Sequence, residues 1–402
     1  MLTSMKTRRA VVIGAGPMGL ETALCAIARG FETTVLEAVR IGEHLRAWGH
    51  IRMFSPLRMN LSPRAKEVIG HKLPDGESIQ TGTEFVKTVL EPLAQSDLLK
   101  DKIVTGRRVI AIARAGLGKM GLPNHPLRSE RSFKILAEDR EGREHVYQAD
   151  YVFDASGVFG QPNWSGAAGM PAIGERSLSA RIIRHPLDLE QHAVQFARKR
   201  LLLIGHGHSA ANTILALHNL LQREPETKLF WAVRSDRLRP IAEIPGDALP
   251  ARARVVTAAN DLAQDPPANV RVLRRTTLES LQEASAASHP GKTAIKARLR
   301  AGKTTEEIEV DAIASLTGYR PDVDMLRETT AEISNITEGA RGLYKALSNI
   351  TDCLAKIEVN PKDLQSGEQN LFIVGVKSYG RNPGFLLQSG LDQLEAIFAS
   401  LV

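Results

Sequence analysis

The sequence predicts an α/β fold built from two Rossmann-like units that follow each other along the chain. Both units have an apolar strand, a glycine-rich turn and a helical pattern, with the turns Gly14-Ala15-Gly16-Pro17-Met18-Gly19 and Gly205-His206-Gly207-His208-Ser209-Ala210. The strands are Ala10 to Ile13 and Leu201 to Ile204, and the helices run from Leu20 to Arg29 and from Ala211 to Leu221. A chain of 402 residues also exceeds a usual single domain. We therefore expect two domains, each built on a parallel sheet.

Each turn has the spacing of a dinucleotide-binding fingerprint. The first glycine allows the tight turn, the second lets backbone amides approach a pyrophosphate, and the third position must be small so that helix and strand pack closely. The helix N-terminus adds unpaired amides and the positive end of its dipole. The alternative is that the glycines serve the turn alone. Because both turns stand between a strand and a helix, we predict that their residues line two dinucleotide sites.

The residues after the second strand of each unit distinguish the two nucleotides. Thr33 to Leu36 predicts a strand that leads to Glu37 and Ala38, where this fold places an acid on a ribose diol, and such an acid repels a 2′-phosphate. In the second unit the strand Lys228 to Val233 is followed by Arg234-Ser235-Asp236-Arg237. Because guanidinium groups bind phosphate with two hydrogen bonds, Arg234 and Arg237 predict NADPH. A solvated basic turn is the alternative, and Asp236 would weaken the preference.

Composition and charge argue against several other classes of protein. The 43% hydrophobic and 24% charged residues are typical of a globular chain. The net charge of +7 is spread without a block of like charges, and no nucleic-acid-binding motif is present, so we expect no nucleic-acid partner. The segment Met1 to Arg9 has no apolar stretch typical of a signal peptide, and no apolar run is long enough to span a bilayer. We therefore expect a cytoplasmic protein without a transmembrane segment.

Cysteine and histidine residues predict neither a disulfide scaffold nor a metal site. Cys25 and Cys353 are far apart, so no internal redox dithiol is expected, and Cys25 is interpreted as a small core residue. His206 and His208 alternate within a loop that should be occupied by pyrophosphate, with no carboxylate or cysteine cluster beside them. We expect them to flank NADPH phosphates, or His208 to cap the following helix.

Further elements complete the predicted domains. Strands are expected at Ile103 to Ala113, Phe133 to Glu138, His145 to Ala155 and Leu371 to Gly375, and an amphipathic helix at Leu386 to Val402 that packs on the first domain. The small residues Ala155, Ser156 and Gly157 end a strand, which would let the backbone approach a cofactor.

Taken together, these motifs resemble those of the two-dinucleotide-binding-domain flavoproteins, especially the FAD- and NADPH-dependent monooxygenases of the flavin-containing and N-hydroxylating type. The resemblance covers most of the chain and includes the segment Ser315 to Pro321 with Gly318. It implies that an NADPH-binding domain at 161–314 is inserted into an FAD-binding domain formed by 1–160 and 315–402. The usual Gly-Asp pair of disulfide reductases near the last strand is Gly375-Val376 here.

The resemblance also implies roles for single residues. The first turn and Glu37 would hold the ADP half of FAD, Val109 would lie near the adenine, and Gly375 near the ribityl chain or the flavin ring. The stretch Trp48 to Asn60 looks like the segment that approaches the flavin. Trp48 and Arg58 would line the cofactor there, and Asn60 would be the neighbour of flavin C4a and the catalytic hydrogen-bond donor. Arg52, Arg58, Trp48 and His50 would recognise an anionic substrate, or form a solvated loop with Trp48 as core.

Three functions follow from this pattern. The favoured one is a monooxygenase that transfers oxygen from a flavin C4a-(hydro)peroxide to the nitrogen or sulfur of a small molecule, with NADPH and O2 as co-substrates. The second is an NADPH-dependent flavin reductase or dehydrogenase that transfers hydride without inserting oxygen, a group that includes disulfide reductases without a cysteine pair of their own. The third is a non-catalytic flavoprotein that senses nucleotides. The sequence specifies neither the substrate nor the oligomeric state.

Overall fold

The computed structural model describes residues 7–70, 73–285, 293–348 and 361–401. The chain divides into two compact units, the first formed by 1–161 and 319–402 and the second by 162–318. The second unit is thus inserted into the sequence of the first. Cys353 and the first six residues lie outside the described residues.

Strands alternate with helices in both units. The strands are β1 Arg9–Ile13, β2 Glu32–Glu37, β3 Ile103–Thr105, β4 Arg108–Arg114, β5 Phe133–Glu138, β6 Glu144–Ala149, β7 Tyr151–Asp154, β8 Ile182–Ile183, β9 Arg200–Ile204, β10 Lys228–Ala232, β11 Val270–Leu273, β12 Thr276–Ser285, β13 Thr293–Ala301, β14 Thr304–Val310, β15 Ala312–Ser315 and β16 Leu371–Ile373. The helices are α1 Pro17–Ala28, α2 Glu43–Ala47, α3 Pro63–Ile69, α4 Gly82–Phe85, α5 Glu91–Ala94, α6 Pro126–Glu130, α7 Leu189–Phe196, α8 His208–Arg223, α9 Pro250–Gln264, α10 Arg341–Leu347, α11 Val376–Tyr379 and α12 Leu387–Ser400.

The first unit is built on a parallel sheet with the strand order β16-β7-β1-β2-β3. The chain leaves β1 for β2 on one side and later returns to β7 on the other side. This reversal creates a topological switch point at the carboxyl ends of β1 and β7, where open α/β sheets bind ligands.

The two faces of this sheet are covered differently. On one face α1 and α12 pack over β1, β7 and β16, and Phe153 stacks against both Phe372 and Phe398 with ring centroids 5.4 and 5.0 Å apart. On the other face the antiparallel sheet β4-β5-β6 contributes Val109 and Ile112 to a second core. The prediction that the C-terminal helix packs on the first domain is confirmed.

The second unit repeats the same arrangement. Its parallel sheet has the order β11-β10-β9-β15-β8, so the switch point lies at the carboxyl ends of β9 and β15. Helices α8 and α9 cover one face through a core that includes Leu217 and Trp231, and the antiparallel sheet β12-β13-β14 covers the other. The α/β class with two Rossmann-like units is therefore confirmed.

Two stretches that the sequence predicts as single strands each form two strands in the structure. The stretch Ile103 to Ala113 divides at Gly106, whose φ of +67° turns the chain out of the parallel sheet and into the antiparallel one. The stretch His145 to Ala155 divides at Asp150, whose carboxylate accepts a hydrogen bond from the Arg9 amide at 2.9 Å. A hydrophobic pattern continues through both breaks, so it does not reveal them.

Candidate dinucleotide sites

The first glycine turn lies at the switch point of the first unit, between β1 and α1. Gly14 has a φ of +97°, and a Cβ there would lie 2.9 Å from the carbonyl oxygen of Ala155. A Cβ on Gly19 would lie 1.8 Å from the carbonyl oxygen of Gly14. These two glycines are therefore required by the close approach of strand, helix and the end of β7.

Gly16 is different, because nothing in the protein requires a glycine at this position. It is the N-cap of α1 with an ordinary φ of −80°, and a Cβ there would meet no atom within 4 Å. No side chain caps the helix, so its first amides lack that partner within the described residues. The turn thus leaves open space directly in front of a helix N-terminus, as a bound phosphate needs.

Glu37 is tied to this turn. Its carboxylate accepts hydrogen bonds from the backbone amides of Ala15, at 2.7 Å, and Val39, at 2.9 Å, and the residue is buried. Each oxygen keeps a further lone pair for a ribose hydroxyl. Ala38 lies half-buried beside it, and Val109 is buried on β4 in the core that contains Leu36 at the end of β2.

The ends of β7 and β16 form a buried polar cluster that the sequence did not predict. Lys377, on α11, places its ammonium 2.6 Å from Asp154 Oδ2 and donates a hydrogen bond to Ser156 Oγ at 2.9 Å. Ser156 Oγ in turn donates to Asp154 Oδ1 at 2.7 Å. The Lys377 and Asp154 side chains are 1% and 0% exposed. The signal in the sequence is Asp154 itself, a charged residue that ends an apolar strand.

Two glycines border this cluster. Gly157 has a φ of +75°, and a Cβ there would lie 3.8 Å from Val376. Gly375 has a φ of +68°, and its amide donates a hydrogen bond to Gln393 Oε1 at 3.1 Å. A Cβ on Gly375 would lie 2.7 Å from the Met18 side chain, so this loop packs on α1. The structure therefore brings Gly14, Ala155 to Gly157 and Gly375 together at one edge of the sheet.

Asn60 lies at the end of a 3-10 turn and is buried. Its amide oxygen accepts a hydrogen bond from Ser55 Oγ at 2.7 Å, and its Nδ2 donates to the carbonyl oxygen of Ser55 at 3.1 Å. Nδ2 carries a second hydrogen for another acceptor. Ser62, two residues later, is hydrogen-bonded to α1. The buried Glu21 of that helix accepts hydrogen bonds from both the amide and the hydroxyl of Ser62. Burial raises the pKa of Glu21, although the bonds from Ser62 oppose this.

Trp48 and Arg58 have contrasting surroundings within the same stretch. Trp48 packs near Phe159, with ring centroids 6.2 Å apart, and Phe159 meets Tyr319 edge-on at 4.9 Å. Among the described residues, the buried Trp48 Nε1 has no hydrogen-bond acceptor. Arg58 is exposed and pairs with Glu77 at 2.5 Å, so its guanidinium points into solvent in this structure.

The second glycine turn repeats the geometry of the first. Gly205 has a φ of +128°, and a Cβ there would lie 2.3 Å from the carbonyl oxygen of Leu316. Ala210 is fully buried at the third small position. Gly207, the N-cap of the sixteen-residue helix α8, has a φ of −99°, and a Cβ there would meet no atom within 4 Å. Here too the middle glycine leaves space that the fold itself does not need.

Both histidines of this turn are kept neutral at pH 7. Burial lowers the pKa of His206, and the positive charge of Arg234 lowers it further. Burial and Arg252 lower the pKa of His208, and Asp247 opposes them. The expectation that His208 caps α8 is wrong, because Gly207 occupies the cap and His208 with Ser209 begins the first turn. Imidazole groups that stay uncharged offer hydrogen bonds to a phosphate without adding charge.

The loop after β10 presents two arginines. Arg234 and Arg237 are exposed, and neither guanidinium has a hydrogen-bond or ion-pair partner among the residues that the structure describes. Asp236 between them pairs with Arg275 at 2.8 Å. Gly318 lies at the end of this unit, where its carbonyl oxygen accepts a hydrogen bond from the Asn163 amide.

In the described part of the chain, the structure does not support a reactive cysteine, a metal site or a membrane-spanning helix. Cys25 is buried on α1, and burial raises the pKa of its thiol to about 11, so it is a poor nucleophile. No group of three or more metal-ligating side chains occurs in 7–70, 73–285, 293–348 or 361–401. In the same ranges, no helix has the length and apolarity required to cross a bilayer.

Comparison with known proteins finds a relative in sequence and several similar structures. Indole-3-pyruvate monooxygenase YUCCA1 from Oryza sativa subsp. japonica is 27% identical over 208 residues, which are 52% of this chain and 44% of that protein. Bacillithiol disulfide reductase from Bacillus cereus has a similar structure, with a TM-score of 0.71, 16% identity and 98% and 99% of the two chains covered. Ornithine hydroxylase from Pseudomonas aeruginosa has a TM-score of 0.61 and 14% identity, with 98% and 99% of the two chains covered. No protein-family model matches the chain.

The chain therefore has the fold of the two-domain flavoproteins, as its motifs predicted. The bacillithiol disulfide reductase and the ornithine hydroxylase both have this fold, so the fold alone does not distinguish a reductase from an oxygenase. The segment matched in the monooxygenase relative spans less than half of that protein.

Proposed function

We propose that this protein is an FAD- and NADPH-dependent monooxygenase that oxygenates the nitrogen or sulfur of a small molecule. FAD binds in the first unit, formed by the two outer parts of the chain, and NADPH in the inserted second unit. Bound FAD supplies hydride acceptance and oxygen activation, and the protein supplies binding, orientation and electrostatics.

The observation that carries the dinucleotide assignment is the pair Gly16 and Gly207. Their backbone conformations are open to any residue, and a Cβ at either position would meet no neighbour within 4 Å. A purely structural role explains Gly14 and Gly205 but not these two. Phosphate groups in front of α1 and α8 account for both glycines, since a side chain would occupy the space that the phosphate needs.

The choice of nucleotide in each unit rests on charge. The Glu37 carboxylate lies beside the first turn and repels a 2′-phosphate, which favours FAD there. Burial lowers the pKa of His206, and the charge of Arg234, which lies near the second turn, lowers it further. The Arg234 guanidinium has no partner among the described residues. A 2′-phosphate is the missing partner, and its source is NADPH.

Oxygen insertion is favoured by three features. The sequence relative is a monooxygenase. The chain has only two cysteines, so any dithiol of its own would include Cys25, whose buried thiol has a raised pKa and is a poor nucleophile. The stretch Trp48 to Asn60 offers two buried donors, the Trp48 indole, which has no acceptor among the described residues, and the second hydrogen of Asn60 Nδ2, and we expect Asn60 to orient the reacting oxygen.

The test measures oxygen transfer directly. The FAD-loaded protein is incubated with NADPH, 18O2 and a panel of amines and thioethers, and products are analysed by mass spectrometry alongside hydrogen peroxide. We expect one 18O atom in the product. We expect Asn60→Ala to leave NADPH oxidation near normal but to divert it to hydrogen peroxide, because one preorganised donor contributes roughly 3 kcal/mol. Ser55→Ala, which removes one of the two hydrogen bonds that hold the Asn60 side chain, is the matched variant and should divert less.

Hydride transfer without oxygen insertion is the second candidate. It predicts anaerobic turnover of NADPH with a reducible substrate and no 18O incorporation. A protein that binds both nucleotides but never oxidises NADPH would instead be the non-catalytic sensor. A colourless protein that gains no thermal stability from FAD would reject all three functions, because a tightly bound cofactor must stabilise the native state.

A further inference from the structure

The loop after β10 is held in place by two arginines of the β11–β12 turn. Arg274 donates hydrogen bonds to the carbonyl oxygens of Arg237 and Leu238, both at 3.1 Å, and to that of Ala263 at 2.6 Å. The amide of Arg275 donates to the carbonyl oxygen of Ser235 at 3.1 Å. The hydrogen-bonding capacity of Arg274 is therefore largely used by the backbone, and the loop is fixed from behind.

The side chain of Arg275 binds a carboxylate of the loop and not its backbone. Its Nη2 donates a hydrogen bond to Asp236 Oδ2 at 2.8 Å, and both side chains are largely exposed. Asp236 stands between Arg234 and Arg237 in the sequence, and the charge of Arg237 contributes to the lowered pKa of Asp236, so we expect the carboxylate to lie near a phosphate that these two arginines bind. An unpaired carboxylate there would repel a dianionic 2′-phosphate. The pair with Arg275 cancels that charge, and it also lowers the pKa of Asp236.

We propose that Arg275 is a specificity-determining residue that favours NADPH over NADH by neutralising Asp236. This inference rests on the proposed use of NADPH. Arg234 and Arg237 bind the 2′-phosphate directly, and Arg275 acts through Asp236, which makes it a positioning residue. With Arg275 in place the loop presents two positive charges, and without it the loop presents two positive charges and one free negative charge.

The test is an epistasis experiment on the FAD-loaded protein. Dissociation constants of NADP+ and NAD+ are measured by isothermal titration calorimetry for wild type, Arg275→Ala, Asp236→Asn and the double variant. We expect Arg275→Ala to weaken NADP+ binding about fivefold, which corresponds to one unscreened charge near the phosphate, and to leave NAD+ binding unchanged. Asp236→Asn should bind NADP+ at least as tightly as wild type, and the double variant should return to the wild-type value.

A matched control separates this effect from a general loss of positive charge. Arg271→Ala removes an exposed arginine of β11 whose ion-pair partner is Glu306 of β14, at 2.9 Å, and not a residue of the loop. It should leave both dissociation constants unchanged. The proposal is overturned when the double variant stays as weak as Arg275→Ala, since Arg275 would then contact the phosphate or hold the loop itself.

The failure of this inference is distinguishable from the failure of the proposed function. If wild type does not prefer NADP+, and the variant Arg234→Ala with Arg237→Ala does not change either constant, the use of NADPH is wrong, and the role of Arg275 is rejected with it. If wild type prefers NADP+ and loses this preference in that variant, but not in Arg275→Ala, only the role of Arg275 is rejected.

Discussion

At the scale of single residues, the two glycine turns separate structural from functional glycines. Gly14 and Gly205 have positive φ values and would clash with backbone carbonyl oxygens if they carried a Cβ. Gly16 and Gly207 have neither constraint. The motif assigns the first glycine to the turn and the second to the phosphate, and the structure is consistent with this division.

This division gives a prediction for alanine substitutions. Gly16→Ala should change the free energy of unfolding of the apoprotein by less than about 1 kcal/mol, since the cap and chain-entropy effects are small and opposed. It should weaken FAD binding by roughly tenfold or more, because the added Cβ occupies the space that the phosphate needs and holds it away from the backbone amides. Gly207→Ala should do the same to NADPH while FAD binding stays normal. Urea unfolding and calorimetric titration measure both quantities.

Gly14→Ala is the matched control. It forces a Cβ against Ala155 at a φ of +97°, so the apoprotein itself should be destabilised. If Gly16→Ala unfolds as readily as Gly14→Ala, the open space in front of α1 is a packing requirement, and the argument for a bound phosphate no longer holds.

At the scale of elements, the loops at the ends of β7 and β16 are joined by an ion pair with almost no exposure. Lys377→Met would leave Asp154 buried without a counter-charge and should destabilise the protein by about 3–5 kcal/mol. The double variant Lys377→Met with Asp154→Leu removes both charges and should recover most of this stability. The measurement is the midpoint of the urea transition, with and without FAD.

A control shows that burial, not charge pairing as such, produces the effect. Arg40→Met breaks an ion pair with Glu43 in the same unit, but Arg40 is exposed, so the transition should hardly move. Equal losses in Lys377→Met and in the double variant would mean that the charges do not compensate each other. Weaker FAD binding in a double variant of normal stability would show that the pair positions Ser156 and Gly157 for the cofactor.

The same elements show how far the sequence predicts this molecule. Strand, turn and helix of both nucleotide units follow from local patterns, because apolar runs and glycine spacing act over a few residues. Glu37 and the exposed Arg234 and Arg237 follow from their place after a strand. Lys377 and Asp154 do not, since 223 positions (377 minus 154) separate them and only the parallel pairing of β7 with β16 brings them together. The Trp48 to Asn60 stretch remains a prediction by resemblance.

At the scale of the whole molecule, the first unit must be assembled from two parts of the chain that the second unit separates. Strand β16 belongs to the later part and pairs with β7 of the earlier part. A buried charged cluster stands at each end of this strand. Lys377 meets Asp154 after its carboxyl end, and Glu368 meets Arg114 and Arg128 before its amino end. The strand between the two clusters has only three residues, all of them buried.

Glu368 makes this assembly sensitive to acid. Burial alone would raise its pKa, but hydrogen bonds from Arg128, Thr330 and Arg114 outweigh burial and lower the pKa to about 2, against 4.5 for the unperturbed group. A depressed pKa stabilises the folded state above the unfolded value, and this stability is lost as the pH falls from 4.5 towards 2. The shift corresponds to about 3 kcal/mol. We therefore expect the free energy of unfolding to fall steeply in this range.

The substitution Glu368→Gln tests this origin of the acid sensitivity. It should cost about 3–5 kcal/mol at pH 7, because Arg114 and Arg128 lose their buried counter-charge. It should also make the loss of stability between pH 4.5 and 2 less steep, while Asp139, Glu175 and Asp247, whose pKa values are lowered too, keep part of it. Urea unfolding across this range, followed by circular dichroism, measures both effects. Glu141→Gln, which removes an exposed carboxylate paired with Arg143, should leave the curve unchanged. A Glu368→Gln curve as steep as that of wild type would mean that other carboxylates, and not Glu368, make the protein sensitive to acid.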